Sequence, residues 1–257
     1  MRRSLVILAA SLLCALVPGS AGAITNGQKD TQNLYPFVGL LAFYDAEGEY
    51  MHRCSGTLIS PTVVLTAAHC TDGTATAYAY FKVEVPDDFR ENPTGRSGTT
   101  YTHPDYNSNT LNRDVGVVVL DKAVRLRRYP VLAAEGFLSD LKAAGEIQDD
   151  IFVNVGYGVL DGSPPPNLRP NEDRWFSTSP YSGLTQNNLH LLQNEAATGQ
   201  GGTCFGDSGG PHFWEDTLII VSVTSWGDAI CRSNDMTQRV DLASVLDWLG
   251  GFGVTPA

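Results

Sequence analysis

The stretch Gly201-Gly-Thr-Cys-Phe-Gly-Asp-Ser-Gly-Gly-Pro211 places a serine, a carboxylate and a cysteine among five glycines. Glycine adopts backbone conformations that side chains forbid, and it lets a ligand approach the main chain closely. An ordinary turn needs one or two such residues. The surplus around Ser208 therefore predicts a loop whose backbone N–H groups point at a ligand, rather than a Gly-rich surface turn.

Two further stretches supply what a nucleophilic serine requires. His69 lies in Leu65-Thr-Ala-Ala-His-Cys70, and Asp114 precedes the apolar run Val115–Leu120. A serine hydroxyl is a weak nucleophile at neutral pH, so it needs a base within hydrogen-bond reach and a third group that orients the base. A carboxylate at the start of an apolar strand is costly unless it is paired. We therefore interpret Ser208, His69 and Asp114 as one catalytic unit.

Short β-rich segments, separated by turn residues, dominate the chain. They are Phe37–Tyr44, Gly56–Ser60, Thr62–Thr66, Val115–Leu120, Ile151–Val155 and Leu218–Ser225. This pattern predicts an all-β sandwich or barrel. The segment Arg128–Asp150 interrupts the β pattern and is interpreted as a crossing between two halves.

One helix is predicted near the C-terminus. Four apolar residues there fall at helical spacing: Leu242, Val245, Leu246 and Leu249. Asp241 is the expected cap at its start, and Gly250-Gly251 is expected to end it.

Residues 1–23 have the features of a secretory signal peptide. Arg2 and Arg3 precede the apolar stretch Leu5–Val17, and Ala21-Gly22-Ala23 fits the small-residue rule for cleavage. The apolar stretch is too short to span a bilayer. The sequence therefore predicts a secreted protein whose mature chain begins at Ile24.

The charge of the chain argues against two classes of partner. The 257 residues have a net charge of −11; removing residues 1–23 takes away two arginines and no acidic residue, which makes the mature charge −13. Such an acidic protein is a poor candidate for binding nucleic acid or an anionic membrane. We expect a soluble monomer without a cofactor.

Four cysteines remain when Cys14 leaves with the signal peptide. An even number of cysteines in an exported chain indicates two disulfides. The spacing alone leaves all three pairings open, and no pair of cysteines has the spacing of a zinc site.

Together these motifs resemble those of trypsin-like serine proteases with the chymotrypsin fold. The matching landmarks span nearly the whole mature chain: Ile24-Thr-Asn-Gly27, Ser55–Ser60, Thr66–Cys70, His103-Pro-Asp-Tyr-Asn107, Asp114, Gly156-Tyr-Gly158, Gly206–Pro211 and Ser225-Trp-Gly227. The order of histidine, aspartate and serine along the chain is also that of the family. The resemblance implies two six-stranded antiparallel β-barrels, in residues 24–134 and 135–257, with the helix at the C-terminal end.

The resemblance also implies a role for each site residue. Ser208 would attack the scissile carbonyl, His69 would transfer the proton, and Asp114 would orient His69. The N–H groups of Gly206 and Ser208 would form the oxyanion hole. The partners would be protein or peptide substrates and protein inhibitors. Two other functions stay open: a protease-like protein that only binds a partner, and a hydrolase that acts mainly on esters.

By the same resemblance, Cys54 pairs with Cys70, and Cys204 pairs with Cys231. Most family members carry a propeptide, whose removal frees an amine that pairs with the carboxylate beside the nucleophile. Here cleavage after Ala23 would expose Ile24 directly, and its amine would pair with Asp207. The other reading is an earlier cleavage that leaves a short pro-piece.

The substrate pocket implied by the resemblance comprises Gly202, Thr203, Phe205, Ser225, Trp226, Gly227 and Asp235. Trypsins carry an aspartate six residues before the nucleophile, at the pocket floor, and that position is Gly202 here. Asp235 stands where trypsins have a pocket-lining glycine. We expect its carboxylate to replace the missing one and to favour Arg or Lys before the scissile bond, less strictly than in trypsin. The competing interpretation is that Asp235 caps a surface turn.

Several trypsins bind calcium in the loop after the catalytic histidine. The acidic residues in that region, Glu84, Asp87, Asp88 and Glu91, do not match the spacing of the calcium site. We interpret them as a solvated loop and predict no metal.

Overall fold

The computed structural model describes residues 24–159 and 171–256. The predicted signal peptide, residues 1–23, lies outside the described residues. The strands are β1 (Gln28–Lys29), β2 (Val38–Tyr44), β3 (Tyr50–Leu58), β4 (Val63–Thr66), β5 (Thr76–Tyr80), β6 (Arg96–Thr102), β7 (Gly116–Leu120), β8 (Val131–Leu132), β9 (Ile151–Gly156), β10 (Trp175–Leu184), β11 (Asn188–Leu192), β12 (Pro211–Trp214), β13 (Ile219–Gly227) and β14 (Asn234–Arg239). The helices are α1 (Ala68–Thr71), α2 (Phe137–Ala144), α3 (Glu195–Thr198) and α4 (Ala243–Gly250), with a 3-10 turn at Ile147–Asp149.

The first barrel consists of six antiparallel strands in the order β2-β3-β4-β7-β6-β5, closed by the pairing of β5 with β2. All seven residues of β2 are buried, as are the four of β4. Their side chains pack with those of β7 into a continuous apolar core that includes Leu40, Leu65 and Val117. Burial of this surface is the main force that holds the barrel together.

The second barrel also has six antiparallel strands, in the order β9-β10-β11-β14-β13-β12. It closes because β9 pairs with both β10 and β12. Two short strands from the earlier part of the chain attach to it: β1 beside β10, and β8 in parallel beside β13. The predicted pair of six-stranded barrels is therefore confirmed, and β1 and β8 tie the first half of the chain to the second barrel.

The predicted C-terminal helix is confirmed as α4, whose Val245 and Leu249 pack into the apolar core. The cap predicted for it is wrong. The Asp241 carboxylate instead accepts hydrogen bonds from the Arg239 guanidinium and the Leu138 N–H, and α4 begins after Leu242 without a side-chain cap. The buried guanidinium binds the carboxylate more strongly than a helix end could. No helix in the described part of the chain is long and apolar enough to cross a membrane.

A buried ion pair anchors the segment that leads from residue 24 into the first barrel. Arg174 is fully buried, and its Nε donates to Asp30 Oδ2 at 2.8 Å. The same guanidinium donates to the carbonyl of Val38 and to Asn33 Oδ1. Removing one partner from such a pair typically costs about 3–5 kcal/mol, so this contact holds the N-terminal segment against the second barrel.

Candidate active site

His69 lies in α1, a single turn that directly follows the buried strand β4 of the first barrel. The disulfide between Cys54 of β3 and Cys70 of α1 joins the two elements beside it. A loop of this length contributes roughly 3 kcal/mol in the chain-entropy model. The histidine is therefore presented by a short, covalently tethered turn.

Asp114 precedes β7, is fully buried, and holds His69 by two atoms. Its Oδ1 accepts the His69 backbone N–H, and its Oδ2 accepts His69 Nδ1, both at 2.8 Å. Because a carboxylate accepts here, Nδ1 carries the proton and Nε2 keeps its lone pair. The ring is thus in the tautomer that can act as a base at Nε2.

The second barrel completes the environment of Asp114. Ser225 Oγ of β13 donates to Asp114 Oδ2 at 2.5 Å, and the Asp114 N–H donates to Gln238 Oε1 of β14 at 3.1 Å. The carboxylate is therefore satisfied despite its burial, as a buried charge requires. Sequence reasoning placed Ser225 in the substrate pocket and missed Gln238, which no motif marks.

The loop that carries Ser208 is pinned to the first barrel by Ser55. The Ser55 N–H donates to the Ser208 carbonyl, and Ser55 Oγ donates to the Gly206 carbonyl, both at 2.9 Å. Gly209 has φ +76°, and a Cβ there would overlap Thr66 and Ala67 of the first barrel. Only glycine permits this backbone angle and this approach at low cost, so the glycines let the serine loop pack directly against the barrel that carries His69.

The backbone N–H groups on either side of Asp207 are among those of this loop that have no acceptor in the described part of the chain. The N–H groups of Asp207, Gly209 and Gly210 all donate within the fold, whereas those of Gly206 and Ser208 donate to no acceptor in residues 24–159 and 171–256. Gly206 has φ +99°, a conformation that favours glycine. Paired free N–H groups beside a nucleophile are the donors that stabilise a developing oxyanion.

His69 and Ser208 line one cavity of about 300 Å³, which we call the specificity cavity. Five of the predicted pocket residues also line it: Thr203, Phe205, Ser225, Trp226 and Gly227. The described hydrogen bonds do not include one from Ser208 Oγ to His69, a contact that commonly tightens only when substrate binds. A larger cavity of about 620 Å³, beside the turn that joins β2 and β3, contains neither serine nor histidine.

Two predicted pocket residues, Gly202 and Asp235, do not line the specificity cavity; Gln193 and Asp228 do. A Cβ built at Gly202 would overlap the Cβ and Oε1 of Gln193, so the glutamine covers the position where trypsins carry their aspartate. Sequence reasoning missed both residues. The one indication in the sequence was Gly202 itself, because a residue without a side chain leaves space that another side chain can fill.

Asp235 is buried in β14, so the interpretation of it as a surface cap is wrong. Neither of its oxygens has a hydrogen-bond partner of good geometry among the described residues, although the nearby Thr203 side chain opposes the rise that burial causes in its pKa; His212 Nε2 lies 3.6 Å from Oδ2. Burial raises the pKa of Asp235 to about 7 and lowers the pKa of His212 to about 3. This carboxyl therefore changes charge near neutral pH.

Asp207, beside the nucleophile, is also fully buried. It accepts hydrogen bonds from the N–H groups of Gly158 and Cys204, at 2.8 and 2.9 Å. Burial raises the pKa of Asp207 to about 7, and these hydrogen bonds oppose that rise. Ile24 is buried too, and the residue after it bridges to Gly202 at the start of the serine loop. In the uncleaved chain the Ile24 nitrogen is part of a neutral peptide bond, so it cannot form an ion pair with Asp207.

Both expected cysteine pairs are present, as Cys54–Cys70 and Cys204–Cys231. The second disulfide joins the serine loop to the segment that follows Asp228. In the described residues, the one cluster of metal-ligating side-chain types comprises Cys54, Cys70 and His69. Its two sulfurs form a disulfide, so it does not offer thiolate ligands.

Comparison with known proteins identifies the relatives of this chain. The trypsin family model matches residues 24–249. Trypsin of Simulium vittatum is 30% identical over 226 residues, which cover 83% of this chain and 86% of that protein. Brachyurin of Leptuca pugilator is 28% identical over 243 residues, which cover 91% of this chain and 100% of that protein.

Solved structures agree in fold. HL collagenase superimposes with a TM-score of 0.70 at 18% identity, over 90% of this chain and 99% of its own. Human heparin binding protein superimposes with a TM-score of 0.63 at 20% identity, over 90% of this chain and 98% of its own. At these identities the likeness establishes the two-barrel fold alone.

Proposed function

Because this chain belongs to the trypsin family of serine endopeptidases, we propose that it cleaves peptide bonds through Ser208, His69 and Asp114. The observation that carries the proposal is the orientation of His69. Asp114 holds its Nδ1 at 2.8 Å, which leaves Nε2 as a base in the cavity that Ser208 also lines.

The reaction proceeds in two halves. Ser208 Oγ attacks the carbonyl carbon while His69 Nε2 takes its proton, and the protonated ring then donates that proton to the leaving amine. Water hydrolyses the acyl-enzyme with the same proton transfers in reverse. The free N–H groups of Gly206 and Ser208 stabilise the oxyanion in both halves, and removing one such donor typically costs ~10²–10³ in rate.

Export and activation form the second part of the proposal. Residues 1–23 are a signal peptide, and the mature protein is a secreted monomer with domains 24–134 and 135–257. Two disulfides support an oxidising compartment. Signal cleavage after Ala23 frees the amine of Ile24, which pairs with Asp207 without a propeptide. The burial of both residues supports this pairing.

The specificity that we propose is a preference for Arg or Lys before the scissile bond, with some large apolar residues accepted. Asp228 lines the specificity cavity. Although partial burial opposes its ionisation, the N–H groups of residues 232–234 lower the pKa of Asp228. Asp235, buried nearby in β14, adds a second negative charge when ionised. The half-exposed rings of Phe205 and Trp226 provide apolar walls, which supports the relaxed preference.

A fluorophosphonate probe tests the catalytic assignment, because it reacts only with an activated serine. We expect the secreted protein to be labelled, Ser208→Ala to lose labelling, and the exposed-strand control Ser182→Ala to keep it. Turnover of matched peptide amides and esters then separates an endopeptidase from an esterase. Labelling that persists in Ser208→Ala would refute the nucleophile, and absence of labelling in the mature wild type would favour a binding protein.

A further inference from the structure

Gln238 lies in β14 of the second barrel and is fully buried. Its amide oxygen accepts the backbone N–H of Asp114 at 3.1 Å. Its amide nitrogen donates to the carbonyls of Asn187 and Arg239, at 3.0 and 2.9 Å. Carbonyl oxygens only accept, so the NH₂ group must face these two and the amide oxygen must face Asp114. The glutamine is therefore an acceptor held at a fixed point beside Asp114.

The segment that carries Asp114 has two residues with unfavourable backbone angles. Leu111 has φ +54° and Arg113 has φ +58°, a region that residues with a side chain seldom adopt. The Val115 N–H donates back to the Arg113 carbonyl at 2.7 Å, which closes a tight turn with Asp114 at its centre. Strained backbone of this kind persists only where surrounding contacts enforce it, and it is concentrated at functional sites.

The contacts that enforce this conformation come from the turn between β10 and β11. Asn187 Oδ1 accepts from the Arg113 guanidinium, and Asn187 Nδ2 donates to Asn112 Oδ1 at 3.0 Å. Asn187 therefore binds the strained segment through its side chain and Gln238 through its backbone carbonyl. We call Gln238 and Asn187 the amide clamp.

Loss of the Gln238 amide would leave the Asp114 N–H buried without an acceptor. A buried donor in that state is costly, so the turn would shift until the N–H reached water or another acceptor. The Asp114 carboxylate moves with its main chain, and it holds His69 by two hydrogen bonds of 2.8 Å. A displacement of about 1 Å at such a site can lower the rate by ~100-fold.

We propose that Gln238 is a positioning residue for catalysis: through its hydrogen bond to the Asp114 N–H, the amide clamp fixes the carboxylate that orients His69. The inference rests on the proposed endopeptidase function and deepens it. The second barrel carries Ser208, and through Gln238 it also sets the geometry of the histidine and aspartate in the first barrel. The glutamine acts on the reaction through Asp114.

The test compares Gln238→Met with Thr237→Val, a matched change at the preceding residue of β14. Methionine has nearly the volume of glutamine and lacks its amide donor and acceptor. Thr237 is fully buried and donates to the Leu189 carbonyl and to Ser222 Oγ. Thr237→Val therefore also removes buried hydrogen bonds from β14, but it leaves the contact with Asp114 in place. The measurements are kcat, KM and the pH profile of kcat/KM on one peptide amide, with Tm as the check on stability.

We expect Gln238→Met to lower kcat by about 10- to 100-fold and to change KM by less than about threefold, because the geometry that it disturbs acts in the transition state. A displaced Asp114 carboxylate also stabilises the protonated His69 ring less, so the acid limb of the pH profile should move to lower pH. Thr237→Val should keep the wild-type kcat and acid limb, even where its Tm falls as far.

Asn187→Ala tests the clamp from its other side. It keeps the backbone carbonyl that binds Gln238 and removes only the side-chain contacts with Asn112 and Arg113. We expect a smaller fall in kcat with a shift of the acid limb in the same direction, even if Gln238→Met fails to fold. In the double variant the fall should be less than the product of the two single effects, because both act through Asp114.

Three outcomes would overturn the inference while the endopeptidase function stands. They are a Gln238→Met variant with the kcat and acid limb of Thr237→Val, a fall in kcat without a shift of the acid limb, and an Asn187→Ala variant that matches the wild type in both. Failure of the proposed function has a different signature: the wild type would cleave no peptide amide and would resist the fluorophosphonate probe.

Discussion

Gln193 occupies the space that any side chain at Gly202 would need: a Cβ built on the glycine would overlap the Cβ and Oε1 of the glutamine. The two residues are nine positions apart, on either side of α3. Gly202 does not have a positive φ, so its constraint is one of space and not of backbone angle. The two positions therefore cannot both carry a long side chain.

This relationship predicts that Gly202→Asp will not create a trypsin-like pocket. The new side chain meets Gln193, and overpacking of this kind typically costs about 1–3 kcal/mol. We expect a lower Tm and a loss of activity on Arg and Leu peptides alike. The double variant Gly202→Asp with Gln193→Gly should recover the Tm and cleave after Arg. Full activity of the single variant would show that Gln193 moves aside freely.

The triad assignment predicts that Ser208→Ala and His69→Ala abolish amide hydrolysis and leave the fold intact. Loss of either residue from such a unit typically lowers kcat by 10⁴-fold or more. The measurement is kcat on one peptide amide, with near-ultraviolet circular dichroism as the check on folding. If either variant kept more than about a hundredth of the wild-type kcat, a value far above the residual rate of such sites, the assignment would be wrong.

The proposed N-terminal activation predicts that a protein beginning at Gly22 is inactive until two residues are removed. Without the Ile24 amine, the buried Asp207 lacks its cation, and a broken buried pair typically costs about 3–5 kcal/mol. We expect fluorophosphonate labelling at least about a hundredfold slower than for protein that begins at Ile24. N-terminal sequencing of the secreted protein is the accompanying measurement. Equal labelling of the two forms would exclude this mechanism.

The fold was predictable where local patterns are strong and where motifs match a family. The apolar runs in β2, β4, β7, β9 and β13 were predicted as strands and are strands. By contrast, β14 reads Asn-Asp-Met-Thr-Gln-Arg and offers no apolar alternation, yet it is largely buried. Its Thr237 donates to the Leu189 carbonyl and its Gln238 to the Asn187 carbonyl. These hydrogen-bond partners, about 50 residues away along the chain, stabilise the strand. The local sequence of β14 therefore does not predict it.

The same distinction applies to the candidate site. The motifs predicted that His69 and Asp114 act together, and the structure brings them into contact. Ser55 and Gln238 were missed because their contacts with the site are to residues more than 100 positions away along the chain. Gln193 was missed because its position beside the cavity depends on the absence of a side chain at Gly202. Their proposed roles stay predictions until the variants are measured.

The buried Asp235 predicts a stability that falls as pH rises. Its pKa is about 7 in the folded protein, raised by burial, against 3.8 for the ordinary group. Between these values the folded state binds more protons than the unfolded state, so the free energy of unfolding decreases with pH. Each pKa unit is worth about 1.4 kcal/mol. The free energy of unfolding of Asp235→Asn, measured relative to that of the wild type, should therefore increase by on the order of 4 kcal/mol from pH 4 to pH 8.

Urea denaturation of both proteins at pH 4, 6 and 8 measures this difference. The buried Asp207 and His212 are present in both proteins, so their own titrations largely cancel in the comparison. The His212 ring keeps its contacts with Asn154 Oδ1 and Thr224 Oγ1 in both proteins. If the difference in unfolding free energy between the two proteins were the same at all three pH values, Asp235 would not ionise within the fold.

The same ionisation predicts a specificity that depends on pH. Below pH 7 the Asp235 carboxyl is largely neutral, and above it the group carries a charge near the specificity cavity. We therefore expect the ratio of kcat/KM for Arg over Leu peptides to rise by about tenfold from pH 6 to pH 8.5, the effect of a little over 1 kcal/mol. Both peptides are cleaved by the same Ser208 and His69, so effects on the chemical step cancel in the ratio. Asp235→Asn should have a ratio that is flat with pH and close to the low-pH value of the wild type. A flat ratio in the wild type, or an undiminished rise in Asp235→Asn, would leave Asp228 as the sole source of the preference for basic side chains.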